Sequence, residues 1–204
     1  MTPPRIHLAS RSPRRQELLR QLGVEFDVLL LRNAPGRTPD VVEEVRDGEP
    51  PRHYVERIAR TKASVGWERV AKRKLPPWPV LGADTEVVVD EQVLGKPADA
   101  AEAAVMLSRL AGRTHEVLTG VALRYEDEIV FAMSASRVRL VQLSRTQVAN
   151  YVETGEWTDK AGGYAIQGRA AAFIEHIEGS YSGVMGLPLF ETASLLARVG
   201  FPVL

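Results

Sequence analysis

The chain has 204 residues, 45% of them hydrophobic and 25% charged, and its 26 basic side chains balance its 26 acidic ones. This composition is that of a globular protein of one large or two small domains, and the zero net charge provides no long-range attraction to nucleic acid or to an anionic membrane. The lack of cysteine excludes disulfides and thiolate metal sites, and no apolar run has the length of a membrane span. We expect a cytoplasmic protein with no nucleic-acid or membrane partner.

The predicted elements of the first half alternate between strands and helices. Apolar periodicity and helix-ending glycines define them. In chain order they are a strand at 6–9, a helix that begins at Pro13 and stops at Gly23, a strand at 24–31, a loop at 33–48, a helix at 51–72, a strand at 80–89 and its short return at 93–94.

Strands cluster in the middle of the chain, and a helix follows at its end. The predicted elements are a helix from Asp99 to Gly112, a strand at 115–123, one or two strands at 129–143, a helix from Ser144, a Gly-rich stretch at 161–168, a strand at 172–177, a Gly/Ser-rich loop to 186 and a helix from Pro188. This order predicts an α/β fold with a mixed twisted sheet and flanking helices. We expect a single domain, 1–204, with no separable linker.

The turn from Ser10 to Arg15 is the first candidate for chemistry. A helix N-terminus has unpaired N–H groups and attracts anions. Arg14 and Arg15 in the first helical turn oppose the helix dipole, which favours acidic residues there. A bound polyphosphate would supply the missing negative charge, and guanidinium groups fork onto phosphate oxygens. The alternative is a pair of solvated arginines on an exposed turn.

Asp84 is the second candidate, because aspartate is rare in strands and this one lies in the most strand-like segment of the chain. Alternation puts Asp84 and Glu86 on one face of the strand and Thr85 on the other. Two carboxylates on one face are able to hold a divalent ion and orient a water for attack on phosphorus. The alternative is a strand with one solvent-facing polar side.

Two lysines and a glutamine are further candidates. Lys62 is in line with the apolar stripe of its helix, where a lysine usually extends its ammonium group to solvent. Lys96 stands in a Gly-Lys-Pro turn, and either lysine could neutralise a phosphate. Gln167 ends a Gly-rich segment and has an amide suited to reading the edge of a base, although the segment could equally be a flexible connection.

Seven segments, in unbroken order, together resemble the Maf family of nucleotide pyrophosphatases. They are LASRSPRRQELL (8–19), ARTKA (59–63), GADTEVVVD (82–90), VLGKP (93–97), LSRLAGRTHEVLTGVAL (107–123), DKAGGYAIQG (159–168) and GSYSGVMGLPLFET (179–192). Each motif is unspecific by itself, whereas the ordered set is specific and spans nearly the whole chain.

The resemblance implies a fold related to inosine triphosphate pyrophosphatases, with two lobes around a nucleotide-binding cleft. It implies hydrolysis of a nucleoside triphosphate to the monophosphate and pyrophosphate with Mg²⁺ or Mn²⁺, and it makes Asp84 the proton acceptor and a metal ligand. The residues implied for the phosphate site are Ser10, Arg14, Arg15, Lys62 and Lys96. Those implied for substrate choice are Arg14, Thr85 and Gln167. A homodimer is left open.

The GADT and YAIQG segments are similar to the family branch that acts on dTTP and UTP, and by extension on modified pyrimidine triphosphates. Two alternatives stay open: a pyrophosphatase for 7-methyl-GTP or other modified purines, and a non-catalytic nucleotide-binding regulator of cell division. The second is favoured by a departure from the family pattern, because the loop at 31–37 lacks the usual glutamate. The candidates to replace it are Glu86, Asp40, Glu43 and Glu44.

Overall fold

The computed structural model describes residues 5–33, 36 and 38–203. Its elements are β1 (Arg5–Leu8), α1 (Pro13–Gln21), β2 (Glu25–Val28), α2 (Pro51–Lys72), β3 (Val80–Val89), β4 (Gln92–Val93), α3 (Ala100–Leu110), β5 (Thr114–Tyr125), β6 (Glu128–Leu140), α4 (Arg145–Glu153), β7 (Ile174–Glu178), α5 (Tyr181–Met185) and α6 (Leu189–Arg198). None of these helices has the combination of length and low polarity that a membrane span requires.

The strands form one mixed sheet in the order β2-β1-β3-β5-β6-β7. β1 is parallel to both β2 and β3, whereas β3, β5, β6 and β7 are successively antiparallel. The sheet and its flanking helices confirm the predicted α/β class.

One edge of β3 is paired only at its two ends. β5 pairs with β3 from Val80 to Val88 without a break. On the opposite edge, β1 pairs with the first two residues of β3 and β4 with the last two. Among the described residues no strand pairs with this edge between positions 82 and 87, so the sheet has a gap beside its central strand.

Helices cover both faces of the sheet. α2 packs on the face that carries the even-numbered residues of β3, where Gly82 allows the two backbones to approach closely. On the opposite face α1 and α6 enclose one apolar cluster, which includes Leu18 and Leu196. α3 and α4 enclose another, which includes Leu107 and Val148. That the chain is one domain of two lobes stays a prediction.

Several element boundaries differ from the predictions. β2 ends at Val28 rather than at position 31. β6 is one continuous strand, and the strand predicted at 172–177 begins only at Ile174 because a 3₁₀ turn occupies the preceding residues. The predicted Gly/Ser-rich loop contains α5, whose first turn is capped by the side chain of Ser180 through the N–H of Gly183.

Replacing Gly82 with alanine should destabilise the protein strongly. The added Cβ would lie 2.6 Å from both the carbonyl oxygen of Ala59 and the backbone nitrogen of Ala63. Because these are helix backbone atoms, α2 must shift away from β3, and we expect a loss of about 2 kcal/mol in the free energy of unfolding, measured in urea.

Gly120→Ala is the matched control, because the atoms nearest to its added Cβ belong to side chains, that of Val55 at 2.9 Å and that of Phe131 at 3.0 Å. The free energy of unfolding should fall less in Gly120→Ala than in Gly82→Ala. Equal stability of Gly82→Ala and the wild-type protein would contradict the described contact of α2 with β3.

Candidate functional site

The gap beside β3 opens into a cavity of about 450 Å³. Its walls include the turn between β1 and α1, the loop before α2, one residue of α2, β3 itself, the turn after β4, the segment at 159–167 and the end of α5. All eight predicted site residues line this cavity: Ser10, Arg14, Arg15, Lys62, Asp84, Thr85, Lys96 and Gln167. The structure thus brings together residues that are widely separated in the chain, while their individual roles stay predictions.

Side chains from both faces of β3 reach the cavity because the strand has no neighbour there. The backbone of β3 also contributes. The carbonyl groups of Leu81 and Val87 bind residues beyond β1 and β4 on the gap side. Backbone groups alternate in direction along an antiparallel strand, so those of Ala83 and Thr85 face the gap as well. These backbone groups add uncharged hydrogen-bonding groups to a site whose side chains are mostly charged.

A buried ion pair between Lys62 and Asp84 lies at the centre of the site. The Nζ of Lys62 donates to Asp84 Oδ1 at 2.8 Å and lies 2.9 Å from Glu43 Oε1. Lys62 is only 9% exposed, so the alternative that its ammonium group extends to solvent is wrong. Asp84 is 5% exposed, and its Oδ2 is buried without a hydrogen-bond partner among the described residues.

Glu86 is a second buried carboxyl group on the same strand face. Its Oε2 also lacks a partner among the described residues. Burial, assisted by the charge of Asp84, raises the pKa of Glu86 to about 8. The interpretation of this face as merely solvent-facing is therefore wrong. Burial alone would raise the pKa of Glu43, but Lys62, Lys96 and Arg15 lower it below its ordinary value.

Arg15 is held by three hydrogen bonds. Its Nε donates to the carbonyl of Gly186 at 2.8 Å, Nη1 to Ser10 Oγ at 3.2 Å and Nη2 to Thr85 Oγ1 at 3.1 Å. Burial lowers its pKa, although Asp84 and Glu43 act in the opposite direction. For Arg15 the alternative of a freely solvated arginine is wrong.

Arg14 lies at the mouth of the cavity beside the segment at 159–167. Its Nη2 donates to the carbonyl of Asp159 at 3.3 Å. Burial and the neighbouring charge of Arg15 lower its pKa. Lys160 also lines the cavity, and its pKa is lowered by burial and then by Arg14. This cluster of cations leaves the mouth of the cavity short of negative charge, which a polyphosphate would supply.

A backbone hydrogen bond joins the segment that carries Lys96 to the segment that carries Gln167. The N–H of Gly162 donates to the carbonyl of Gly95 at 2.8 Å. Gly162 has a φ of +69°, and a Cβ there would lie 2.8 Å from Val87. The predicted need for glycine in this segment is thereby explained. Gln167 is exposed at the rim of the cavity.

Sequence reasoning missed a buried pair beneath the same segment. His115 Nε2 lies 2.8 Å from the hydroxyl of Tyr164, a residue of the cavity wall. His115 is 3% exposed, and burial lowers its pKa to about 4. The alternating pattern of β5 marked His115 only as a strand residue, so only the position of Tyr164 in the fold relates it to the site.

That another acidic residue replaces the glutamate missing from the loop at 31–37 stays a prediction. Of the four candidates, Glu43 and Glu86 line the cavity. Asp40 is held by Arg32 and Arg69 instead, and Glu44 is not part of the cavity wall. Residues 34, 35 and 37 of this stretch lie outside the described residues.

Comparison with known proteins finds a family and several relatives that match nearly the whole chain. The family described as Maf-like protein matches residues 5–199. A protein named dTTP/UTP pyrophosphatase in Aromatoleum aromaticum is 54% identical over 200 residues, which cover 98% of this chain and 97% of the relative. One of the same name in Dechloromonas aromatica is 48% identical over 197 residues, which cover 97% and 98% of the two chains.

The Ham1 protein of Staphylococcus aureus is a distant structural neighbour. It is similar with a TM-score of 0.41 and 14% identity, and the match covers 67% of this chain and 72% of that one. The assignment to a family does not depend on this weak likeness.

The buried His115 should make the folded protein sensitive to acid. Because its folded pKa of about 4 lies below the ordinary value of 6.5, the unfolded chain binds more protons between these two values. Stability is therefore lost as the pH falls through that window. We expect wild type to lose more of its free energy of unfolding between pH 7 and pH 5 than His115→Gln does, measured in urea.

His53→Gln is the control, since His53 is exposed on α2. This variant should follow the wild-type dependence on pH. If His115→Gln and wild type have parallel pH profiles, the imidazole does not carry this sensitivity.

Proposed function

The chain belongs to the Maf-like protein family, and from this membership we propose that it hydrolyses dTTP and UTP to the nucleoside monophosphate and pyrophosphate. Its relatives of that name are about half identical to it over nearly their full length. The observation within the site that supports this function best is the free, buried Oδ2 of Asp84, which faces a cavity lined with cations.

Asp84 acts as the base in this proposal. Lys62 holds its Oδ1, which orients the carboxylate and leaves Oδ2 to accept a proton from a water. The oxygen of that water forms a bond to the α-phosphorus as the bond from this phosphorus to the bridging oxygen breaks. Pyrophosphate leaves with the bridging oxygen, and the proton resides on Asp84 until solvent takes it.

The cations of the cavity bind the triphosphate. Phosphoryl transfer depends mainly on positioning and on neutralising phosphate charge. Five basic groups that line the cavity have no carboxylate partner within salt-bridge distance among the described residues: Arg11, Arg14, Arg15, Lys96 and Lys160. Arg15 keeps two N–H groups beyond its three hydrogen bonds, because a guanidinium group has five.

The carboxyl groups fit a divalent cation, Mg²⁺ or Mn²⁺. Asp84 Oδ2 and Glu86 Oε2 are both buried without partners among the described residues. No three acidic or histidine side chains of those residues form a complete protein cage. That agrees with the usual binding of Mg²⁺, which uses one or two carboxylates together with substrate phosphates and water. When bound, the cation would neutralise charge on the phosphate oxygens.

Gln167 at the rim is proposed to read the base. Its amide can both donate and accept, which matches the adjacent N–H and carbonyl groups of a uracil or thymine ring. Modified pyrimidine triphosphates that keep this edge are further expected substrates. A side-by-side assay of dTTP, UTP and 7-methyl-GTP decides between this function and a modified-purine pyrophosphatase.

The alternative of a non-catalytic regulator was favoured by the missing loop glutamate, and Glu43, which lines the cavity beside Lys62, is proposed to take the place of that residue. The cytoplasmic location, the lack of a nucleic-acid partner and a homodimer stay predictions.

Asp84→Asn should release pyrophosphate from dTTP at least about a hundredfold more slowly than wild type, because the amide cannot accept the proton. The variant should remain folded, since its amide oxygen can still accept from Lys62. Asp90→Asn is the control, because Asp90 is exposed at the end of the same strand and pairs with Arg113. Wild-type turnover by Asp84→Asn would refute the assignment of the base.

Glu86→Gln should weaken the binding of Mn²⁺ to the nucleotide-free protein at least about tenfold, because a neutral amide is a poorer ligand than a carboxylate. The binding is measured directly by calorimetry or by the paramagnetic signal of free Mn²⁺. Glu153→Gln, which changes an exposed glutamate of α4, should bind like wild type. Unchanged Mn²⁺ affinity in Glu86→Gln would remove Glu86 from the metal site.

A further inference from the structure

We propose that Thr119, a fully buried residue of β5 outside the cavity wall, is a positioning residue that acts through Thr85 to fix the guanidinium group of Arg15 toward the triphosphate. This inference rests on the proposed function. It adds to the site a residue that the sequence motifs do not distinguish from the rest of its strand.

Thr119 has two hydrogen-bond partners for its single hydroxyl proton. Its Oγ1 lies 2.8 Å from the carbonyl oxygen of Gly183 and 3.0 Å from Thr85 Oγ1. A carbonyl oxygen can only accept, so the hydroxyl group of Thr119 is the donor toward Gly183. Thr119 is also the donor in its contact with Thr85, whose Oγ1 accepts. The single proton of Thr119 is therefore shared between these two acceptors.

The direction of the remaining bond follows from the charge of Arg15. Its Nη2 can only donate, so Thr85 Oγ1 accepts from it at 3.1 Å. Thr85 Oγ1 thus accepts from both Arg15 and Thr119, and Thr119 also donates to Gly183. Thr119 therefore holds in place the oxygen that Arg15 uses as its acceptor, and the bond from Arg15 is strengthened by the positive charge of its donor.

These hydrogen bonds close into a ring through α5. The N–H of Gly186 donates to the carbonyl of Gly183 at 2.9 Å, and the carbonyl of Gly186 accepts from Arg15 Nε at 2.8 Å. Arg15 is thus bound at two of its nitrogens by members of one ring. Because all members constrain one another, the loss of one hydroxyl group should loosen the guanidinium group.

This ring changes what Thr85 can do. Its Oγ1 accepts from Arg15 and from Thr119, so neither of its lone pairs is left to accept from a nucleotide. In this proposal Thr85 influences the substrate through the orientation of Arg15. Arg15 in turn keeps one N–H on each terminal nitrogen, and both nitrogens belong to a residue of the cavity wall.

Thr119→Val tests the proposal because valine keeps the shape of threonine and removes the hydroxyl group. We expect kcat/KM for dTTP to fall about tenfold, and the affinity for a non-hydrolysable α,β-imido analogue of dTTP to fall by a similar factor. Thr119→Ser should stay close to wild type. If Thr119→Val does not fold, Thr119→Ala serves in its place.

Thr192→Val is the matched control for a purely structural effect. Thr192 is also fully buried, and its hydroxyl group also donates to a carbonyl, that of Pro188, but it lies on α6 outside the cavity. It should lose similar thermal stability and keep wild-type kinetics and analogue binding.

A double-mutant cycle with Thr85→Val completes the test. Because Thr119 acts through Thr85, adding Thr119→Val to Thr85→Val should change kcat/KM less than twofold. Wild-type kinetics in the single variant, or a full further tenfold loss in the double variant, would overturn the proposal. If the wild-type protein releases no pyrophosphate, the proposed function fails, while analogue binding by the same variants still tests the role of Thr119.

Discussion

The salt bridge between Lys62 and Asp84 joins α2 to β3 in the interior of the protein, and the arrangement of the cavity follows from it. A charged pair removed from water is tolerated only when both partners are well satisfied, and loss of either one typically costs about 3–5 kcal/mol. The close approach of α2 at Gly82 brings the lysine within reach of the carboxylate. The residue proposed as base is therefore also an element of the fold.

Ligand binding and stability oppose each other in this site. Asp84 Oδ2 and Glu86 Oε2 are buried polar atoms without partners in the part of the chain that the structure describes, and Arg14 and Lys160 are cations whose pKa values burial has lowered. Each of these groups destabilises the unliganded protein. A triphosphate with its cation would satisfy both sets of groups at once. Binding would then relieve the electrostatic cost that the fold itself imposes.

Local sequence signals were sufficient where structure depends on neighbours in the chain. Helix α2 was predicted with its observed bounds, and Asp84 stood out as a carboxylate within an apolar strand. The five-residue helix α5 was missed, because Ser182 and Gly183 within it favour a loop until Ser180 caps it. Thr119 was also missed, since its partners lie 34 and 64 residues away and no local pattern reports them. Such roles depend on contacts that only the fold creates.

The gap beside β3 has a consequence for self-association. An open strand edge offers unpaired backbone groups to another chain and so promotes aggregation. Here the open stretch is interior to the sheet, because β1 and β4 occupy the same edge on either side of it. A strand from another chain would need a longer stretch of unpaired backbone groups than this one to form a stable pairing. The backbone groups of β3 in this stretch therefore stay available to small ligands but do not promote aggregation with other chains.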